Sequence, residues 1–342
     1  MLKQLFVGIE GGATCSKLVV LSGRTGRILC RKHGGPTNPW LSFDSTIKNI
    51  RSLVDSARMN FGQQESFRNT RFQGLGLTLS GVDSHQIQRK ILDSLCMKGN
   101  KCLANEYHLA SDTLGPLETA FGPRQAGCVL ISGTGSCARM ISKAGKLYRA
   151  GGWGHILSDE GSAYHTSLKL IRLIIQRIEH RGSEHIGTRK YDISTLKDLM
   201  FRYFKISSIK EFMPLFYSTF NKSNIAGFTK EIAQAANNND PLAQYCFTRA
   251  GYYLASLLKS VYRQYLEDNP KPRSLNLLGV GSMWKSWEYI SPNFVNNLDN
   301  IPFTFHTLKD TSAIGAASFV ARKVGIEIPL NRKQLVNIIY KN

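Results

Sequence analysis

Two stretches of the chain share one grammar. GIEGGATCSKLVVL (8–21) and ISGTGSCARMIS (131–142) each run from an apolar strand through a glycine turn into another apolar strand. The glycine turns of P-loops and dinucleotide folds open a helix, with GxxxxGK[ST] or GxGxxG spacing. Neither pattern occurs here, and a strand follows each turn. A glycine hairpin still aims several backbone N–H groups into one concavity, which suits an anion, and it lets the backbone approach a ligand closely. Thr14 and Thr134 each add a hydroxyl donor without adding charge. A plain hairpin explains either stretch taken alone. Two in one chain point to a duplicated architecture.

The rest of the chain follows from that repeat. LFVGI (5–9), KLVVL (17–21) and GRILCRK (26–32) read as a strand meander. A helix follows from Thr46 on the spacing Ile47, Ile50, Leu53, Val54, Ala57 and Phe61, with Gly62 as its stop. FQGLGLTLSG (72–81) reads as a buried strand, 86–96 as a helix, and YHLASD (107–112) as a strand ending on an acid. The pattern restarts at GCVLIS (127–132), and the two halves stand about 120 residues apart. After GGWGHILSDEGSAY a long helix runs to about Ile178, and further helices fill 194–204, 210–219, 228–237 and 241–266. Asp240-Pro241 opens the last of these as N-cap and first helical residue. LNLLGVGS (275–282) and FTFHTL (303–308) read as strands, with helices at 311–323 and 332–340. The expected boundary falls near Gly115-Pro116. One lobe is 1–116, joined by the chain end 332–342 through the stripe Leu335, Ile338 and Ile339; the other is 117–331.

Composition narrows the function classes. A chain of 342 residues suggests two domains with ample core. No apolar run approaches the roughly 18 residues of a membrane helix, and MLKQLFVGIEGG holds too short an apolar run for a signal peptide. A cytoplasmic protein with no membrane partner is the expectation. The 7 cysteines form no CxxC pair and read as reduced thiols. Cys15 and Cys137, each just after a glycine turn, read as small strand residues before any redox role. The 8 histidines lack metal-site spacing, and His180 and His185 belong to a solvated loop. Lys and Arg exceed Asp and Glu by 20, which favours polyanions. These charges are scattered, with no run of five and no RNP, zinc-finger or basic-zipper pattern, so no specific nucleic-acid partner is expected.

Further motifs sharpen the reading. GIEGGAT, PTNPW, LTLSGVD, ASDTLG, LISGTGS, GGWGH, SDEGSAYH, IAGF, DPLAQYCFTRAG, GVGSMWKSW and TSAIGAA succeed one another from residue 8 to 317. In kind and order they resemble the N-acetylglucosamine kinase family and its BadF/BadG-type relatives, with GVGSMWKSW pointing to the animal-type kinases. The resemblance implies an α/β actin-like ATPase fold of the sugar kinase and Hsp70 type, duplicated, with a cleft between two lobes. It implies ATP and Mg2+, a sugar substrate, a homodimer, and phosphorylation of N-acetyl-D-glucosamine at its 6-hydroxyl in amino-sugar salvage. By the same resemblance Gly11, Gly12 and Thr14 form the first phosphate loop, Gly133 and Thr134 the second, and Glu10 stands near the magnesium. Gly227, Gly281, Ser282 and Met283 match the adenosine side. Asn38, Gly152, Trp153 and Asp159 match sugar contacts, and Asp112 matches the catalytic base.

Taken from the residues alone, each of these positions keeps a plainer alternative. An Asp at a strand end is also a helix cap or turn former, Asn38-Pro39 is also a turn, Trp153 also suits a core, and Asp159 also suits the cap of the following helix. Three positions depart from the family pattern: Ala13 for a third glycine, Ser158 for a glycine, and His165 for a tryptophan. Ala13 and the basic surplus motivate the alternative of a catalytically weak paralogue acting as a sugar- or protein-binding module. Intact Thr14, Asp112 and Thr134 argue for a kinase. An ATPase activator of the BadF type needs cluster-binding cysteines, and none are suitably spaced.

Overall fold

The computed structural model describes residues 4–61, 72–96, 102–123, 125–181, 185–186, 189–270 and 274–342; the expected helix stop Gly62 lies outside them. β1 (Leu5–Gly11), β2 (Ser16–Ser22) and β3 (Ile28–Gly34) form an antiparallel meander. After α1 (Phe43–Phe61) comes β4 (Phe72–Leu79), parallel to β1. After α2 (His85–Leu95) comes β5 (Ala104–Ser111), parallel to β4. Helix α3 (Leu114–Phe121) then leads to β6 (Gly127–Ser132), β7 (Ser136–Ile141) and β8 (Leu147–Gly151), a second antiparallel meander.

A helical insert follows: α4 (Ala163–Ile178), a two-residue ladder of β9 (His185–Ile186) with β10 (Arg189–Lys190), α5 (Ser194–Phe204), α6 (Phe212–Phe216), α7 (Lys222–Gly227), α8 (Thr229–Asn237) and α9 (Pro241–Asp268). β11 (Leu275–Val280) returns parallel to β6, α10 (Trp287–Asn296) follows, and β12 (Phe303–Leu308) lies parallel to β11. α11 (Ala313–Lys323) and β13 (Val336–Lys341) close the chain.

The two main sheets run β3-β2-β1-β4-β5 and β13-β12-β11-β6-β7-β8. Strands β6, β7, β8, β11 and β12 repeat the order and directions of β1 to β5, so the duplication is structural. In both sheets the central parallel strands are almost continuously apolar and buried on both faces, as helix-covered strands must be. Ile50, Leu53, Val54 and Ala57 of α1 cover one face of the first sheet. Ala313, Ile314, Ala317 and Val320 of α11 cover the other.

The helices that cover the inner faces are exchanged. α3 follows the first sheet in sequence, yet Leu117 and Ala120 pack on Val129 and Leu278 of the second. α11 follows the second sheet yet packs on the first. Where they cross, a Cβ on Gly315 would lie 2.1 Å from the carbonyl oxygen of Gly115. The Gly315 N–H donates to Thr119 Oγ1 at 2.8 Å. Buried Glu118 of α3 accepts from Arg322 at 2.8 and 3.0 Å and from the Ser318 hydroxyl at 2.9 Å, tying α3 to α11. A Cβ on Gly76 would sit 1.8 Å from the Ala316 carbonyl oxygen. Because that neighbour is helix backbone, the sheet and α11 would have to separate. Gly76→Ala is therefore expected to cost about 3 kcal/mol or more, read as a lower denaturant midpoint at an unchanged slope.

The expected closing helix is a correction. Residues 332–334 form one 3-10 turn, and β13 pairs antiparallel with β12 on the second sheet. Leu335, Ile338 and Ile339 fit a helical stripe, but Val336, Ile338 and Tyr340 also alternate at the strand period. The ring of Tyr340 against Phe303 (5.4 Å) and Trp287 (6.0 Å) supports the strand. The segment that returns to the first sheet is α11. The expected helix 210–219 is a 3-10 turn (209–211) followed by the short α6.

Candidate active site

In an open sheet with parallel strands, ligands bind beyond the carboxyl ends of those strands. Here those ends line up. Gly11 of β1 pairs with Leu79 of β4, which pairs with Ser111 of β5. The residues just past them are knitted together: Ser80 N–H donates to Gly11 O (2.8 Å), Asp112 N–H to Leu79 O (3.0 Å), and Thr37 N–H to Gly12 O (3.1 Å). In the second sheet Ile131 of β6 pairs with Val280 of β11, placing Gly133 and Gly281 side by side. Gly281 has φ 109°, and a Cβ there would lie 2.2 Å from Ser132 O, so glycine is required on both counts.

The two glycine turns meet across the cleft. Thr14 Oγ1 lies 3.4 Å from Thr134 Oγ1 and 3.5 Å from Ser223 Oγ on α7. Beside these hydroxyls the backbone is open: a Cβ on Gly12 would approach nothing nearer than 3.8 Å, and one on Gly133 nothing nearer than 3.9 Å. Gly11 differs, since a Cβ there would strike Thr37 Oγ1 at 1.8 Å; it serves close packing. Ala13 is absent from the residues with positive φ, so its methyl group carries no left-handed strain. The adenosine-side candidates separate. Gly281 and Ser282 are exposed, Met283 is buried in the core with Trp284, and Gly227 lies one helical turn beyond Ser223, against Tyr203.

Glu10 precedes Gly11 on β1. Its Oε1 pairs with Lys17 at 2.9 Å, and its Oε2 accepts from the Ser312 N–H at 2.6 Å and from the Ser312 hydroxyl. Burial pushes its carboxyl up, but Lys17 and the Ser312 and Thr311 hydroxyls outweigh that and hold it below the usual range. It stays ionised and anchors the start of α11. Among the described residues no group of three or more His, Cys, Asp or Glu gathers into a metal cage. Mg2+ needs none, since it is held by one or two carboxylates together with phosphates and water. Ionised Glu10, beside the first glycine turn, is the carboxylate that demand would draw on.

Asp112 stands half-buried at the end of β5. Burial pushes its carboxyl up to about 6, aided by the Asp83 carboxylate and opposed by Arg139 and by the Ser111 and Ser80 hydroxyls. The helix that follows has Thr113 at its cap position, with its hydroxyl turned to Ser111 rather than to the helix backbone, so Asp112 is not a cap. Ser80 also accepts from Asn38 Nδ2 at 3.4 Å, linking Asn38 to Asp112. Asn38 Oδ1 is taken by the Trp40 N–H at 3.0 Å, which is the local turn the plainer reading expected.

On the opposite wall Gly151 (φ 68°), Gly152 (φ 79°) and Gly154 (φ 85°) make a left-handed run around Trp153. Trp153 is 61% exposed, with Arg149 at 4.3 Å over its ring, so it is not a core residue. Asp159 is buried below the second turn, accepting from the Ser136 N–H at 3.1 Å and pairing with Lys222 at 2.7 Å. The cap of α4 is Ser162. His165 of α4 packs edge-on to Tyr253 of α9. The Cys137 thiol, pushed up to about 12 by burial with the Asp112 carboxylate adding to it, stays protonated and is no nucleophile. Sequence reasoning missed Ser80, Asp83, Arg139, Lys222 and Ser223. The signal available was one arginine inside the otherwise apolar CARMI strand.

Known proteins share this fold at low identity. The chain is 25% identical over 317 residues, covering 91% of itself and 96% of the relative, to an N-acetylmuramic acid/N-acetylglucosamine kinase of Clostridium acetobutylicum. It is 24% identical over 192 residues (53% of this chain, 57% of the relative) to an N-acetyl-D-glucosamine kinase of Dictyostelium discoideum. Among solved structures, a candidate N-acetylglucosamine kinase from Chromobacterium violaceum superposes with TM-score 0.64 at 20% identity, over 92% of this chain and 98% of that one. A ROK family glucokinase from Streptomyces griseus, solved with glucose and AMPPNP, gives 0.54 at 13% identity, over 93% and 99%. These likenesses fix the actin-like sugar-kinase fold. The profile of the BadF/BadG/BcrA/BcrD ATPase family matches residues 7–319, and the chain belongs to that family.

Proposed function

We propose that this protein is an ATP-dependent N-acetylglucosamine kinase that makes the 6-phosphate, in the cytoplasm and as a homodimer, for amino-sugar salvage. It is an enzyme of the sugar-kinase type, and its relatives phosphorylate amino sugars. The observation that carries the reading is the pair Thr14 and Thr134, 3.4 Å apart, with Asp112 at the carboxyl end of β5, two strands from β1 in the same sheet. Two hydroxyls and the open glycine backbones offer donors to a chain of phosphates, and one carboxylate offers a place for a proton. The lobes are 1–116 and 117–331 in this reading, with α11 rather than the chain end crossing back. Exposed Ile338 and Ile339 on the outer strand β13 offer an edge for a second copy.

The chemistry divides among the residues. Asn38 and Asp112 hold the acceptor from the first lobe, and Gly152 and Trp153 frame it from the second, while buried Asp159 braces the second turn from beneath. The hydroxyl oxygen bonds to the γ-phosphorus as the bond to ADP breaks, and Asp112 receives the proton late, since the transition state is loose. Thr14 and Thr134 steady the phosphates, and Gly281 and Ser282 border the adenosine. Mg2+, when bound near Glu10, would neutralise phosphate charge. Among the described residues no helix is long and apolar enough to cross a membrane.

ADP release should depend on added sugar when N-acetylglucosamine, N-acetylmannosamine, glucosamine, glucose and N-acetylmuramic acid are compared. The phosphorus–proton couplings of the product should identify the phosphorylated carbon as C6. Sugar-independent ADP release, or a product phosphorylated at C1, overturns the proposal.

A further inference from the structure

Arg139 sits on β7 with only 4% of its side chain exposed. Taking such a cation from water costs several kcal/mol unless it is compensated. Half of the guanidinium is compensated locally. Nη1 donates to Ala138 O at 2.9 Å and Ala150 O at 3.2 Å, with Gly151 O at 3.5 Å. The other half is not. Nη2 has no acceptor at hydrogen-bond distance among the described residues, and faces the carboxylate of Asp83 at 3.9 Å. It also borders Gly152, where a Cβ would meet it at 3.2 Å.

Asp83 belongs to the other lobe. It follows the loop Ser80-Gly81-Val82 at the carboxyl end of β4, just before the Ser84 cap of α2, and its side chain is 48% exposed. The pair therefore spans the cleft beside Asp112. A charge-assisted hydrogen bond needs the two atoms about 1 Å closer.

We propose that Asp83 and Arg139 form a clasp between the lobes, which tightens when sugar is bound and sets the position and charge environment of Asp112. This rests on the kinase reading above. Arg139 is a positioning residue, since nothing places it on the transferred phosphoryl group. The groups facing Asp112 are the carboxylate of Asp83, the guanidinium of Arg139, the thiol of Cys137, and the hydroxyls of Ser80 and Ser111. Two of these carry charge, and the charges are opposite. Each therefore moves the acid limb of the rate profile in its own direction.

The test uses the full-length enzyme, N-acetylglucosamine and ATP. Asp83→Asn is expected to lower kcat about 10-fold with the KM for ATP unchanged, and to move the acid limb of kcat down by about half a pH unit or more. Arg139→Gln, checked for folding by circular dichroism, is expected to move the same limb up, and Arg139→Lys to restore its position. Small-angle scattering should show the compaction caused by sugar in the wild type and not in Asp83→Asn. A limb unmoved in Asp83→Asn, with full sugar-induced compaction, overturns the clasp even if Arg139→Gln fails to fold. A wild type that releases no ADP with any sugar overturns the kinase reading instead, and the scattering comparison still decides whether Asp83 helps the lobes close.

Discussion

Asp112→Asn is expected to cut turnover at least about 100-fold while making the protein more stable. The amide keeps the size and hydrogen-bonding capacity of the carboxyl but cannot accept the proton, and loss of a positioned base costs on the order of 10² to 10⁴ in rate. The stability gain follows from linkage. A carboxyl raised from 3.8 to about 6 on folding holds its proton in the folded state over a window where the unfolded state has lost it. Below pH 3.8 both states are protonated and nothing is lost. As pH rises through the window the folded state loses ground, and above about 6 the full penalty stands, about 3 kcal/mol at most. The variant escapes it. Denaturation curves should therefore diverge from wild type as pH rises from 4 to 7, with the variant the more stable. The wild-type rate should fall as pH drops below about 6. Turnover kept within threefold makes Asp112 structural, and parallel stability curves place its carboxyl in water.

The second large effect is expected at the threonine pair. Thr14→Val and Thr134→Val each remove one hydroxyl and keep the shape. A hydrogen bond to a charged partner is worth about 1.5–3 kcal/mol, so kcat/KM for ATP should fall about 10- to 150-fold in each. The hydroxyls lie 3.4 Å apart and face one ligand, so the double variant should lose less than the product of the two. Affinity for N-acetylglucosamine, measured by calorimetry, should stay within about twofold, because the sugar contacts come from other segments. Unchanged kinetics in both variants would refute the phosphate assignment.

These residues were legible in the sequence because local patterning announced them. The glycines interrupt β-branched runs, and the interruption recurs, so the paired turns and the duplicated sheets could be read directly. Asp112 stood out as an acid at a strand end, and only the family resemblance chose the base over the cap. The chain end was not, since VNIIYK satisfies two periods at once and only the surface offered by β12, Trp287 and Phe303 decides between them. The support beneath the second turn was hidden for another reason. Asp159 and Lys222 are 63 residues apart, and no local rule pairs them. Met283, grouped with the adenosine side by resemblance, turns its side chain into the core, a direction that a motif does not encode.

The exchange of α3 and α11 has a consequence for how the chain is made. On a ribosome the first sheet is complete by residue 111, yet one of its faces stays bare until residue 323 has emerged. Over that interval of synthesis the trough along Gly8, Gly74 and Gly76 has no cover of its own, because the ridge that fills it, Ala313 to Val320, is written last. The nascent first half is thus expected to expose apolar surface until α11 has emerged. The first sheet gains its second cover only when α11 arrives, about 200 residues after its last strand.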